Sequence, residues 1–278
     1  STLMTSFAAG GAIVVPILNF GINQYGWRTT VLIMGIFITL LTIPVSIVVR
    51  SKPEDMGLLP DGDKLDSNDE GSGGASRPQG RFEGFSVKEA MCTLPFWLIL
   101  IGLVCRTGAT NAMLIHWFPI MSLYGIGSSM ATVLWSLTMG IGVPLRFFMG
   151  YATDFFSPRI ILSVGMIAGS AGVLILWSTG SIAGAICFSL CIALIEGITS
   201  TNWLMLANYY GQARFATLMG IMSVFHNSFM FVTPLYAGWL RDETGNYSIP
   251  LFTFGVIFAV GAVAFGLAKK PVHPLETN

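Results

Sequence analysis

Charge is what this sequence most lacks. Only 10% of its 278 residues are Asp, Glu, Lys or Arg, against about 25% in an ordinary soluble domain. The shortage is uneven: residues 29–49, 160–178 and 250–268 contain none at all. Runs of that length match the roughly 20 apolar helical residues needed to cross a hydrocarbon layer about 30 Å thick. The 14 basic and 14 acidic residues cancel, so nothing points to nucleic acid as a partner. Cysteine is scarce as well. Cys187 and Cys191 share one helix face, where disulfide geometry fails, and no CxxC or Cys/His cluster suggests a metal. The sequence has no GxSxG, phosphate loop or HExxH pattern. Neither an enzyme nor a cofactor site is therefore expected, with no catalytic residues and no metal ligands.

What is present is a series of apolar runs rich in glycine, with 32 in the chain. Spans are expected at 3–22, 29–49, 95–117, 128–150, 160–178, 182–203, 215–238 and 250–268. That makes an all-α membrane protein of eight transmembrane helices. Small residues four apart, as in Gly165–Gly169 and Gly140–Pro144, suit close helix packing in lipid. Residues 50–94 form the one long polar region, with a Gly-, Ser- and acid-rich stretch from Ser67 to Gly80. Such a composition buries too little apolar surface to fold and reads as a flexible linker. Phe82, Phe85, Val87 and Met91 near its end fit a short helix lying on the membrane surface.

Lys and Arg set the orientation. With the linker in the cytoplasm, that side holds Arg50, Lys52, Lys64, Arg77, Arg81, Lys88, Arg146, Arg159, Arg214, Lys269 and Lys270, and the other side Arg28 and Arg241. The asymmetry predicts a multi-pass protein of the inner (plasma) membrane, with both termini and the linker cytoplasmic. An internal echo adds to this. Pro16, Gly21, Gly26 and Gly35 in the first pair of spans are matched by Pro234, Gly238, Gly245 and Gly255 in the last pair. A tandem repeat of six-helix bundles would account for it. Residues 1–49 would be the last two helices of an N-terminal bundle, 50–94 the linker, and 95–278 a C-terminal six-helix bundle with a short tail. Ser1 opens the chain without a Met, and four upstream helices are expected beyond it.

Four ionisable residues fall inside the spans: Arg106, Arg146, Glu196 and His226. Charges in hydrocarbon are costly and mark polar interiors. Each has two readings. Arg146 either snorkels to the cytoplasmic headgroups or binds substrate. Arg106 either pairs with Glu196 or contributes to an anion site. Glu196 otherwise carries a proton or faces substrate, and His226 either hydrogen-bonds a neighbouring helix or titrates as a coupling site. His116 reads as an interfacial polar tip beside Trp117, and Asn111, Asn202 and Asn227 as interhelical hydrogen-bonders.

After the fourth span stands Gly150-Tyr151-Ala152-Thr153-Asp154-Phe155-Phe156-Ser157-Pro158-Arg159. It resembles the cytoplasmic loop signature of the major facilitator superfamily, matched at Gly150, Asp154 and Arg159 and degenerate at Phe155 and Ser157. Gly26-Trp27-Arg28, the stretch Arg50 to Gly62, Phe96-Trp97 and His116–Pro119 resemble bacterial members related to monocarboxylate transporters and oxalate/formate antiporters. The resemblance covers nearly the whole chain and implies a partial twelve-helix fold, helices five to twelve. In that group an Arg four residues before the loop Gly is associated with the substrate carboxylate, the position of Arg146. A Lys of the eleventh helix plays a similar part in the antiporters, and His226 takes roughly its place. Monocarboxylate transporters carry a proton-coupling Asp where this chain has Gly142. Arg106 and Glu196 match no motif of the family. Asp154 is expected to cap a helix start and to face a positive helix end.

The expected function is secondary active transport of a small organic anion, a mono- or dicarboxylate, by alternating access. Arg146, Arg106 and His226 are the substrate-binding candidates, and Glu196 or His226 the proton-coupling candidate. Gly150, Asp154 and Arg159 form the conformational loop. The partners are the carboxylate, a coupling proton or counter-anion, and the lipid bilayer. The alternative is a non-transporting membrane sensor or assembly component that keeps the transporter fold.

Overall fold

The computed structural model describes residues 2–48, 84–211 and 213–271. Within 2–48, side chains are described for 13–46. Among the described residues all regular structure is helical: α1 (Thr2–Tyr25), α2 (Trp27–Val48), α3 (Val87–Met91), α4 (Leu94–Ile115), α5 (Trp117–Leu123), α6 (Ser128–Ala152), α7 (Pro158–Thr179), α8 (Ile182–Gly197), α9 (Thr201–Tyr210), α10 (Phe215–Thr244) and α11 (Ser248–Leu267). Seven segments among the described residues are long and apolar enough to cross a membrane, with α8 and α9 together forming one of them. The eighth expected span, 3–22, falls on α1, a 24-residue helix. Most of the expected linker, 49–83, lies outside the described residues.

Several boundaries differ from the sequence expectation for local reasons. The third span does not run unbroken to residue 117. It stops at Ile115 and resumes as α5, because Pro119 has no N–H to give the Ile115 carbonyl. The sixth span is broken at residues 198–200 and continues to Tyr210. There Thr199 Oγ1 donates to the Glu196 carbonyl at 2.8 Å and Asn202 Nδ2 to the Thr199 carbonyl at 3.1 Å, side-chain bonds that compete with the helical ladder. The seventh runs to Thr244. The end of the linker region is ordered: Ser86 and Glu89 form a reciprocal capping box on α3, which satisfies two orphan donors. Phe85 N–H donates to the Tyr210 carbonyl at 3.2 Å.

The described residues fall in two compact units, one within 17–81 and one comprising 1–16 and 82–278. In the first, the end of α1 and α2 form a hairpin closed by Gly26, whose φ of +76° is disfavoured for any residue with a Cβ. Thr30 lies against Gly21 and its Oγ1 donates to the Gly26 carbonyl at 2.9 Å. Gly245 stops α10 in the same left-handed way, φ +72°, so the middle glycines of the sequence echo do the same job.

In the second unit α7 packs on α8 and α11, α4 on α10 and α11, and α6 on α8. Bare backbone lets α7 approach its neighbours. Side chains of Ile198 and Ile195 occupy the space that a Cβ would need at Gly165 and Gly169, as the small-residue spacing anticipated. Gly140 meets nothing within 4 Å, so its spacing with Pro144 is not a packing motif in this unit. Pro234 leaves the Met230 carbonyl without its helical donor, and Asn111 Nδ2 of α4 fills that role at 2.8 Å.

Candidate functional site

The break between α8 and α9 is where the interior charges meet. Arg146 of α6 is 4% exposed. Its Nη2 donates to Glu196 Oε2 at 2.9 Å and its Nε to the Glu196 carbonyl at 3.2 Å. That carbonyl lies one residue from the end of α8 and already accepts from Thr199. As a last-turn oxygen it has no i+4 donor, and it also accepts from the Thr199 backbone N–H at 3.3 Å. Arg106 of α4, also 4% exposed, donates from Nη1 to Thr199 Oγ1 at 3.3 Å. Both guanidiniums therefore dock on one short stretch, residues 196–199.

These contacts sort the sequence alternatives. Arg146 is buried and paired, so it does not snorkel to the headgroups. Glu196 pairs with Arg146 and not with Arg106. Arg106 lies within the electrostatic reach of both Glu196 and Arg146. Among the described residues the cluster sets one carboxylate against two guanidiniums, a formal excess of one positive charge. Arg106 Nε and Arg146 Nη1 are buried and have no hydrogen-bond partner among the described residues. Such unmatched charged donors are costly unless something else meets them.

His226 of α10 is half-buried, edge-on to Trp203 with ring centroids 6.5 Å apart, and its buried Nδ1 is also unmatched. It stands within the field of Arg106. His116 is different: Nε2 lies 3.0 Å from the Pro234 carbonyl and Nδ1 2.9 Å from the Tyr247 hydroxyl. A carbonyl only accepts, so Nε2 carries the proton and Nδ1 accepts from Tyr247. His116 is a structural tie to Pro234 and Tyr247 instead of an interfacial polar tip.

Gly142, where monocarboxylate transporters carry an Asp, faces Glu196: a Cβ built on it would stand 3.7 Å from the Glu196 Cβ. The acid beside Arg146 thus comes from α8 instead of α6. The loop motif is more exposed. Gly150 and Asp154 are on the surface and Arg159 is partly buried. Asp154 does not cap α7, because Pro158 opens that helix and makes Ser157 its N-cap. Asn202 bonds locally to Thr199, and Asn227 is exposed. Sequence reasoning missed Thr199 and the helix break. The signal was the polar run Thr199-Ser200-Thr201-Asn202 after Gly197, which disfavours an unbroken helix.

Comparison with known proteins gives concordant findings. Residues 1–234 match the family model described as Major Facilitator Superfamily. Monocarboxylate transporter 12 of Rattus norvegicus is 21% identical over 283 aligned positions, which cover 96% of this chain and 58% of that protein. The crystal structure of the E. coli fucose:proton symporter is similar with a TM-score of 0.57 at 18% identity, over 67% of this chain and 46% of that one. The chain thus spans about half the length of the proteins it matches.

Proposed function

Because the chain belongs to the major facilitator superfamily, we propose that it works as a secondary carrier of a small organic anion, a mono- or dicarboxylate, by alternating access. The observation that carries this reading is the excess positive charge held at the broken helix: Arg106 and Arg146 against Glu196 alone. A charged side chain at the bilayer centre costs about 2.5–3.5 kcal/mol on insertion scales. A carboxylate drawn from water offsets that cost and matches the planar fork of a guanidinium. Discontinuous helices whose freed backbone groups meet ligands are a recurring device of transporters. The name of the rat relative supports a monocarboxylate. The fucose:proton symporter supports the fold alone.

The chain's own residues divide the work. Arg106, held only by a hydroxyl, is the standing anion receptor, with the Nδ1 of His226 and the hydroxyl of Thr199 beside it. Arg146 becomes available when its bond to Glu196 gives way. A proton taken up by Glu196 removes the negative charge that holds Arg146, and an incoming carboxylate replaces it. Anion and proton would then move together, and a counter-anion would exchange at the same place. Both termini and the linker face the cytoplasm of an inner (plasma) membrane in this reading, and Gly150, Asp154 and Arg159 form its conformational loop.

One observation favours a second reading. If the Arg146–Glu196 pair never opens, it is a staple, and the protein is a non-transporting sensor with a transporter fold. Uptake separates the two. Labelled acetate, lactate, oxalate and succinate are offered to vesicles containing the intact protein. One of them should accumulate; Arg146→Lys should slow it at least tenfold, since the fork is lost, and Arg146→Gln should abolish it. Wild-type uptake by Arg146→Gln at normal expression would leave Arg146 a mere anchor. Uptake of none of the four would favour the sensor.

A further inference from the structure

A second cationic site lies away from the interior cluster. Three helix ends converge on a cleft of about 670 Å³ lined by Ser157, Pro158 and Arg159 at the start of α7, Asn208 and Tyr209 at the end of α9, and Lys269 and Lys270 after α11. No acidic side chain lines it. The ion pairs among the described residues are Arg146–Glu196 and Arg241–Asp242, so Arg159, Lys269 and Lys270 face the cleft without a carboxylate. Its floor is built: the buried Tyr209 donates from its hydroxyl to the Ala268 carbonyl at 2.9 Å, tying α9 to the end of α11.

The cleft opens at the rim of the membrane. The charge-free cores of α7 and α11 begin at Ile160 and end at Ala268, so the cations that border them stand at headgroup level. Directly along the same two helices runs an apolar groove of about 540 Å³, lined by Ser163, Ile167, Leu174, Ala259, Val263 and Leu267 among others. Ser163 follows Arg159 by four residues, one turn along the same face of α7, and Leu267 lies two residues before Lys269. A basic head and an apolar stem, in register, form one amphipathic site.

We propose that this site binds an anionic phospholipid of the cytoplasmic leaflet, with its phosphate among Arg159, Lys269 and Lys270 and one acyl chain in the α7–α11 groove. The positive-inside pattern places these cations on the side where anionic lipids concentrate, and basic pockets between membrane helices recognise such headgroups. The seam itself carries no charged residue over 160–178 and 250–268; Arg159 is shared with the conformational loop of the transport reading, so the test varies Lys269 and Lys270 instead.

The test titrates purified, delipidated protein in detergent with phosphatidylglycerol, with phosphatidylcholine of the same acyl chains, and with soluble glycerol phosphate. Bound molecules are counted by native mass spectrometry. Phosphatidylglycerol should bind at least tenfold tighter than phosphatidylcholine. Lys269→Gln with Lys270→Gln, both exposed in the native protein, should weaken it about 30-fold, roughly fivefold for each lysine. Ala259→Trp, which fills the groove, should weaken both lipids at least tenfold. Equal affinity for the two lipids, unchanged binding by the double lysine variant, or unchanged binding by Ala259→Trp would each overturn the proposal. So would glycerol phosphate binding as tightly as the lipid, which would mark a site for free phosphate esters.

Discussion

The α7–α11 seam and the α6–α8 seam both use glycine contacts and hydroxyls on carbonyls, yet only the second adds a charged pair. Along α7 and α11 the contacts are glycine against side chain: Gly255 meets Leu174, Gly261 meets Met166 and Cys105. The polar bonds there are single hydroxyls on carbonyls, Ser163 to Ala262 and Ser170 to Gly255, each at 2.8 Å. Between α6 and α8 a buried ion pair is added to the Thr138 hydroxyl on the Ser189 carbonyl and to Gly197 against Leu145, and the helix that carries the carboxylate is broken within two residues. A hydroxyl on a carbonyl is satisfied within the protein and has no second arrangement to adopt. An ion pair with an unmatched Nη1 beside it has one, because a competing anion or a proton can replace either partner. The first seam reads as scaffold and the second as machinery.

The contrast can be broken most forcefully at Glu196. Glu196→Ala leaves Arg146 buried without a counter-charge and should cost about 3–5 kcal/mol, read as thermal unfolding in detergent. Arg146→Met combined with Glu196→Leu should recover most of that stability without recovering uptake. A double variant as unstable as Glu196→Ala would mean the pair is part of the scaffold after all. On the other seam, Gly255→Leu must displace Leu174 of α7 and should cost about 1–3 kcal/mol through overpacking, in the same unfolding assay. It should leave the carboxylate affinity of the folded fraction unchanged. The two histidines sharpen the comparison at smaller scale. His116→Ala strands the Tyr247 hydroxyl and should cost about 1–3 kcal/mol, whereas His226→Ala loses a ring contact with Trp203 but no side-chain tie to another helix and should cost less than about 1 kcal/mol while slowing uptake.

The sequence made the scaffold seam easy to read and the machinery harder. Long charge-free runs at 160–178 and 250–268 became α7 and α11 almost to the residue, since apolar length alone decides a span. The glycine spacing of α7 carried its own packing instruction. Arg106, Arg146, Glu196 and His226 stood out because intramembrane charge is rare. Which of them pair was not legible. The sequence offered Arg106 as the partner of Glu196, whereas the structure pairs Glu196 with Arg146, a choice that depends on how α6 and α8 cross, with Gly197 close against Leu145. The helix break was hidden for a related reason. Hydropathy averages over Thr199, although its hydroxyl bonds to the Glu196 carbonyl just where α8 ends. At His116 the break follows from Pro119, which removes the donor of the Ile115 carbonyl inside an otherwise apolar run.

The claim that matters most is that the interior keeps one uncompensated positive charge for a carboxylate. Equilibrium binding of the transported labelled carboxylate to the purified intact protein tests it directly, with the corresponding neutral amide as a control. The account predicts that wild type binds the carboxylate and not the amide, and that Arg106→Gln lowers affinity at least tenfold while the protein stays folded, since Arg106 holds no partner but Thr199. Unchanged affinity in Arg106→Gln, or an amide bound as tightly as the acid, would contradict it.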